Sequence, residues 1–226
     1  TAVSVATEAL DRLHTTAETH NRILVLEVMG RFAGWIALES AISGGADIAL
    51  IPEIPYDIKK AAEAVKRRQA RGKNFSIVVV SEGAMSKDGE NETHQAEGVD
   101  AQSGISVKFG GIGPKVAKQL QELTGLEARC TVLGYMQRGG TPTAYDRVLS
   151  TKYGAKAMEL AIEGRFGVLT VIQNGRLTSV PLEEVVGNNK EIGAVQGGTN
   201  ESNVRLVTMD DDLVKTARDI GICLGD

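Results

Sequence analysis

Arginine, eight residues, then arginine occurs twice in this chain. Arg22 and Arg31 enclose ILVLEVMG; Arg129 and Arg138 enclose CTVLGYMQ. A guanidinium is a planar fork that presents paired donors to two oxygens, which suits it to clamping phosphate. Both enclosed runs are rich in Val, Leu, Ile or Thr and read as buried strands. Nine steps of about 3.3 Å span roughly 30 Å, more than one small phosphate ester can bridge. Two of the four arginines therefore suit this chain's own site. The other two face elsewhere, such as a neighbouring subunit.

Other polar residues gather at the same strand ends. Met29-Gly30-Arg31 follows the first strand and opens a helix. Gly30 lets backbone approach a ligand closely, and a helix N-terminus favours an anion. Glu82-Gly83 closes another strand, where a carboxylate accepts hydrogen bonds from sugar hydroxyls. Tyr135, Gln137, Arg138, Gly139 and Gly140 close a third. Together these are the parts needed to hold a sugar phosphate.

Each residue also has a plainer reading. A single Arg at a strand end is a solvated charge; four placed symmetrically favour function. Met29 on pattern alone belongs to the core. Asp146 reads as the N-cap of the helix after it. His14, His20 and His94 lack metal-ligand spacing and read as surface residues. The string FGGIGPK, residues 109–115, lacks the ending of a P-loop and reads as a turn before a helix. The basic run from Lys66 to Lys73 reads as a solvated helix end that complements the helix dipole, with an effector-phosphate site as the alternative. No nucleotide-binding glycine loop and no general base stand out. The chain looks like half of an active site: a sugar-phosphate grip without the reacting machinery.

The elements that must position these groups alternate. The order is helix (about 2–14), strand (23–29), helix (about 31–42), strand (47–52), helix (57–70), strand (75–81). After a long polar loop, 83–110, come a helix (114–123, with Pro114 in its first turn), a strand (130–136) and a Gly-rich turn. A helix (about 146–163), a strand (167–172), a short strand or turn and a helix near 182–186 follow. A polar stretch, 187–203, a strand near 204–207 and a helix near 211–220 complete the chain. Alternation of this kind predicts an α/β fold, a mostly parallel sheet with helices on both faces. Ligands in such sheets sit at the carboxyl ends of the strands.

Bulk properties narrow the function. With 226 residues the chain holds one large domain or one and a half ordinary ones, and 42% hydrophobic content supports a core. Only 4% of residues are aromatic, so that core is aliphatic. A net charge of −4 argues against a nucleic-acid partner. No apolar run reaches membrane-spanning length, and no signal peptide is visible. Cys130 and Cys223 make no disulfide framework, which suits a reducing cytoplasm. The sequons at Asn91 and Asn200 read as chance matches in that compartment. The chain starts at Thr1, inside a helix, and so reads as part of a longer protein.

Five strings, VLEVMGRFAGWIA, IPEIPYD, SEGA, GGIG and TVLGYMQRGGTPTAYDR, closely resemble the 6-phosphofructokinase family, specifically its C-terminal, sugar-phosphate-binding part. The long loop and the ending LVKTARDIGICLGD are most similar to the branch that mixes ATP- and pyrophosphate-dependent enzymes. The resemblance implies phosphoryl transfer to the 1-hydroxyl of fructose 6-phosphate, giving the 1,6-bisphosphate in glycolysis. The alternative is a non-catalytic sugar-phosphate sensor on the same fold. It implies a sugar-phosphate domain over 1–138. Residues 139–226 would return toward an N-terminal nucleotide domain and add a C-terminal extension. Met29, Gly30 and Arg31 match the loop facing the transferring phosphoryl group, with Arg31 stabilising its charge. Glu82 matches the carboxylate on sugar hydroxyls. Arg138 matches a ligand of the 6-phosphate, with Tyr135, Met136 and Gln137 beside it. Tyr135 stands where many ATP-dependent members carry His. Arg22 and Arg129 match arginines that reach a neighbouring subunit's site, so a homodimer or homotetramer is expected. ATP or pyrophosphate is the donor. Mg2+, the nucleotide module and the catalytic base would lie mainly outside this chain. Glu53 and Lys73 align with effector-site positions; Arg71 replaces a Lys there, and Asn74, Phe75 and His14 replace charged or polar residues. That puts an ADP-like effector in doubt.

Overall fold

Four strands in the order β2-β3-β1-β6, every neighbouring pair parallel, form the central sheet of the computed structural model. The structure describes residues 1–88, 94–95, 107–108, 111–186 and 205–226. The strands are β1 (Ile23–Val28), β2 (Ile48–Leu50), β3 (Ser76–Ser81) and β6 (Ala128–Val132). Two-residue strands β4 (His94–Gln95) and β5 (Val107–Lys108) pair separately and antiparallel. Most of the predicted loop 83–110 and of the polar stretch 187–203, with both sequons and Phe109, lies outside the described residues, as does the His94 side chain.

All six residues of β1 and of β3 are buried. A parallel strand covered on both faces reads as a mainly aliphatic run, and these do apart from Glu27 in β1 and the serines that end β3. One face carries α1 (Ala2–His20), α2 (Trp35–Ser43) and α7 (Asp212–Asp219), packed around Leu10, Leu26, Leu38 and Val214. The other carries α3 (Ile58–Ala70) and α4 (Ile112–Thr124), packed around Val25, Val65, Val78 and Leu120. The expected parallel sheet with helices on both faces is therefore present.

Four expectations change. The second Arg-enclosed run is not a buried strand throughout. β6 is an edge strand whose Thr131 and Val132 are exposed, and the chain then turns into a 3₁₀ helix, Gly134–Arg138. Helix α2 starts at Trp35, so Arg31 lies on a loop before it. The strands are shorter than the runs the arginines enclose: at about 3.3 Å per residue β1 spans roughly 20 Å and β6 roughly 17 Å. Finally, 205–207 form no strand; the tail pairs instead at Cys223, beside Ile48 of β2.

The chain divides into two compact units. The sheet, its helices and the tail make one; among the described residues, Thr1 and 141–186 make the other. The second contains α5 (Ala144–Ile162), an antiparallel hairpin of β7 (Val168–Gln173) and β8 (Arg176–Pro181), and α6 (Leu182–Val186). Asn174 and Gly175, both at positive φ, make the two-residue turn that such hairpins favour. Thr143, not Asp146, caps α5: its side chain accepts from the Asp146 amide, and Asp146 sits in the first turn. The Thr143 hydroxyl also donates to Asp146 Oδ2 at 2.9 Å, and hydrogen bonds from the chain's amino terminus and from the Thr1 and Thr143 side chains hold the Asp146 carboxyl well below the usual range.

Candidate functional site

The carboxyl ends of the four strands bring the predicted residues to one edge of the sheet. β1 delivers Met29, Gly30 and Arg31; β3 delivers Glu82; β6 delivers Tyr135 to Arg138; β2 delivers Glu53. Arg31 Nε lies 3.7 Å from Glu82 Oε1, joining the proposed phosphoryl-facing cation to the proposed hydroxyl acceptor. Both keep partial solvent access, as a pair that is to receive a ligand must.

The loop carrying Arg31 is held from several sides. The Ser81 hydroxyl donates to the Gly30 carbonyl at 2.7 Å, and the Gly83 amide donates to the same oxygen at 3.0 Å. Gly30 has φ +144°, and a Cβ there would collide with Ser81 Oγ. A Cβ at Gly83 would collide with the Arg31 carbonyl. The Met29 amide donates to Gln137 Oε1 at 3.3 Å. Gln137 is 2% exposed, so as placed it braces the loop rather than facing solvent. Its neighbours Tyr135 and Met136 are exposed, and the Arg138 guanidinium lies 5.4 Å from the Tyr135 ring centre, a cation–π contact.

Two carboxylates escaped sequence reasoning. Glu27, the fifth of six residues of β1, is 3% exposed, and its Oε2 accepts from the Gly113 amide at 2.8 Å. Burial pushes its proton affinity up, the Gly113 amide opposes this, and the nearby Glu82 charge adds to the rise. Cys130, across on β6, is raised by burial and by Glu27 to about 12, so it is an inert thiol rather than a nucleophile. Glu127 is the second. Its carboxylate bridges Arg22, at 2.7 Å, and Arg129, with which it pairs through Arg129 Nη2. Arg22 precedes β1 and Arg129 is the second residue of β6, with Leu24 opposite it, so this trio sits at the amino end of the sheet. The four arginines thus fall into two pairs at opposite ends.

Three of the positions aligned with an effector site, Glu53, His14 and Phe75, are engaged within the chain. His14, half-buried rather than superficial, bonds the Gly44 carbonyl through Nε2 at 2.8 Å and meets the Phe75 ring edge-on. Arg68, from the basic run, lies over Phe75 and pairs with Asp47 at 2.6 Å; Arg71 and Lys73 are exposed. The Glu53 carboxylate is bonded to backbone amides. Among the described residues there is no group of three or more His, Cys, Asp or Glu that could hold a metal ion. No helix among them is long and apolar enough to cross a membrane.

The chain is 45% identical to the ATP-dependent 6-phosphofructokinase of Spirochaeta thermophila, over all of this chain and 57% of that protein. It is 48% identical to ATP-dependent 6-phosphofructokinase 2 of Clostridium perfringens, again over 100% and 57%. The chain thus spans little more than half the length of these relatives. Phosphofructokinase from Saccharomyces cerevisiae superposes with a TM-score of 0.69 at 31% identity, over 84% of this chain and 24% of that one. A pyrophosphate-dependent phosphofructokinase from Marinobacter aquaeolei shares the fold, with a TM-score of 0.68 at 22% identity over 100% of this chain and 55% of that one. The phosphofructokinase family model matches residues 1–161, and the chain belongs to that family.

Proposed function

We propose that the full-length protein is a 6-phosphofructokinase and that this chain supplies its fructose 6-phosphate site. The observation that carries the reading is the Arg31–Glu82 pair, 3.7 Å apart on a braced loop at the carboxyl edge of the sheet. Phosphoryl transfer asks the protein mainly to position reactants and stabilise charge. Arg31 meets the charge on the transferring group, Glu82 accepts from sugar hydroxyls, and Arg138 grips the 6-phosphate. Met29 and Gly30 shape the floor, Tyr135 and Met136 line the rim, and Gln137 braces Met29. The sugar-phosphate domain covers residues 1–138. Relatives named as ATP-dependent favour ATP over pyrophosphate as donor. Mg2+ and the base belong to the rest of the protein, in a cytoplasmic enzyme.

Arg22 and Arg129 serve the neighbouring subunit's sugar phosphate, which makes the enzyme a homodimer or homotetramer. The test is direct. Full-length protein with ATP, magnesium and fructose 6-phosphate is expected to form fructose 1,6-bisphosphate. The 226-residue chain alone is expected to form none. Binding of fructose 6-phosphate by the full-length protein without turnover, with either donor, would replace the kinase by a sugar-phosphate sensor.

A further inference from the structure

We propose that Glu53 is the positioning residue for Arg31: its carboxylate fixes the start of α2, and with it the Met29–Gly34 loop, by accepting the backbone amides of Gly34 and Val207. This rests on the role given to Arg31 above. The Gly34 nitrogen lies 3.0 Å from Glu53 Oε1 and 3.1 Å from Oε2. The Val207 nitrogen lies 2.9 Å from Oε1.

Helix α2 brings no cap of its own. Gly34 occupies the N-cap with no side-chain bond, and its first turn holds no acidic residue. A helix start leaves several amides without helical partners and carries partial positive charge. Glu53 answers both from the loop after β2, with charge and acceptors together. The approach is close: a Cβ on Gly34 would collide with Ile51 and stand 3.0 Å from Glu53 Oε2. Arg31 lies three residues before this anchor. Ser81, Gly83 and Gln137 hold the loop at Met29 and Gly30, on the near side of Arg31. Glu53 holds it on the far side.

The same carboxylate ties in the tail segment. The Trp35 indole N–H donates to the Arg205 carbonyl at 2.7 Å, so residues 205–207 are fastened to the start of α2 once directly and once through Glu53. The family resemblance aligns Glu53 with effector ligands. Its oxygens are instead committed to the backbone that carries the reacting arginine.

The experiment is a double-mutant cycle in the full-length enzyme, which separates action through Arg31 from general damage. Glu53→Ala is expected to lower kcat by about 10- to 100-fold, as a small misplacement of a positioned group does. The KM for fructose 6-phosphate is expected to change by less than about 3-fold, because uniform binding is little affected. Glu53→Gln, which keeps an acceptor, is expected to fall between. In an Arg31→Ala background, Glu53→Ala is expected to cost less than about 2-fold further, since the group it positions is gone. Hydrogen exchange at Gly34 and Val207 is expected to quicken in Glu53→Ala. An equal loss in both backgrounds overturns the proposal, as does unchanged exchange. If Glu53→Ala does not fold, Glu53→Gln takes its place in the cycle, and an equal loss in both backgrounds again overturns the proposal. If the wild-type enzyme leaves fructose 6-phosphate untouched, the kinase reading falls. The exchange measurement still decides separately whether Glu53 holds the loop.

Discussion

Arg31 and Arg138 both lie beyond the carboxyl ends of neighbouring strands, yet they face different tasks, and kinetics should separate them. In the role proposed for it, Arg138 holds a phosphate that does not react, so Arg138→Ala is expected mainly to raise KM for fructose 6-phosphate. In its proposed role, Arg31 meets charge formed in the transition state, so Arg31→Ala is expected mainly to lower kcat. Each charge-assisted contact is worth roughly 1.5–3 kcal/mol, and steady-state kinetics of the two variants is the measurement. A second prediction concerns Glu27. Its folded-state proton affinity is raised above the ordinary 4.5 by burial. The folded protein therefore holds more protons than the unfolded one in that window, and this contribution to stability is present below 4.5 and lost as pH rises through the folded value. Glu27→Gln removes the titration. Its melting temperature relative to wild type is expected to climb as pH rises from 4.5 toward neutrality; a constant offset would contradict this. The four arginines and Glu82 were legible in the sequence because charges at strand ends stand out. Glu27 was not, because its meaning depends on an amide 86 residues away.

At the scale of elements, two boundaries depend on contacts that sequence spacing does not show. The sequence puts Arg31 at a helix start, but Gly34 with the distant Glu53 carboxylate sets the start four residues later, at Trp35. The end of the second Arg-enclosed run reads as strand because apolar residues suit both strand and buried turn. Gly134, at φ +49°, instead begins a 3₁₀ helix that brings Gln137 under Met29. Gly83 offers the sharpest test at this scale. Its missing side chain lets the end of β3 touch the Arg31 carbonyl. Gly83→Ala must push that backbone aside, because a carbonyl cannot rotate away as a side-chain tip can. It is expected to destabilise the fold by about 1–3 kcal/mol and to lower kcat as Arg31→Ala does. Urea titration and kinetics check the two halves; wild-type values in both would refute the contact.

For the whole molecule, the paired arginines at opposite ends of the sheet pose a problem of assembly. One phosphate cannot reach across the roughly 20 Å of β1. If all four arginines bind sugar phosphate, two act on a neighbour's ligand, and closed symmetry makes the exchange reciprocal. Mixing a full-length Arg22→Ala, Arg129→Ala variant with an Arg31→Ala, Arg138→Ala variant tests this. A hybrid interface contains one site with all four arginines and one with none. Activity is expected to rise above the mean of the parents once subunits exchange; verified exchange with activity at that mean would show separate roles. The sheet and its covering helices were legible because aliphatic runs alternate with helical spacing. Glu127, which links Arg22 and Arg129, was not. A surface carboxylate declares no partners until the two strand starts lie side by side.

Trp35 is the single tryptophan of this sequence, and it is the first residue of α2, next to the Gly34 that Glu53 holds. Its indole is covered by the Arg205 guanidinium at 4.7 Å. An indole so placed is an optical label supplied by the chain itself. If a sugar phosphate draws on Arg31 as proposed, it pulls on the loop leading into that ring, and emission wavelength and quenching by iodide become local gauges of the loop. The proposed binding can then be followed in the absence of any phosphoryl donor, without a coupled assay or an attached dye.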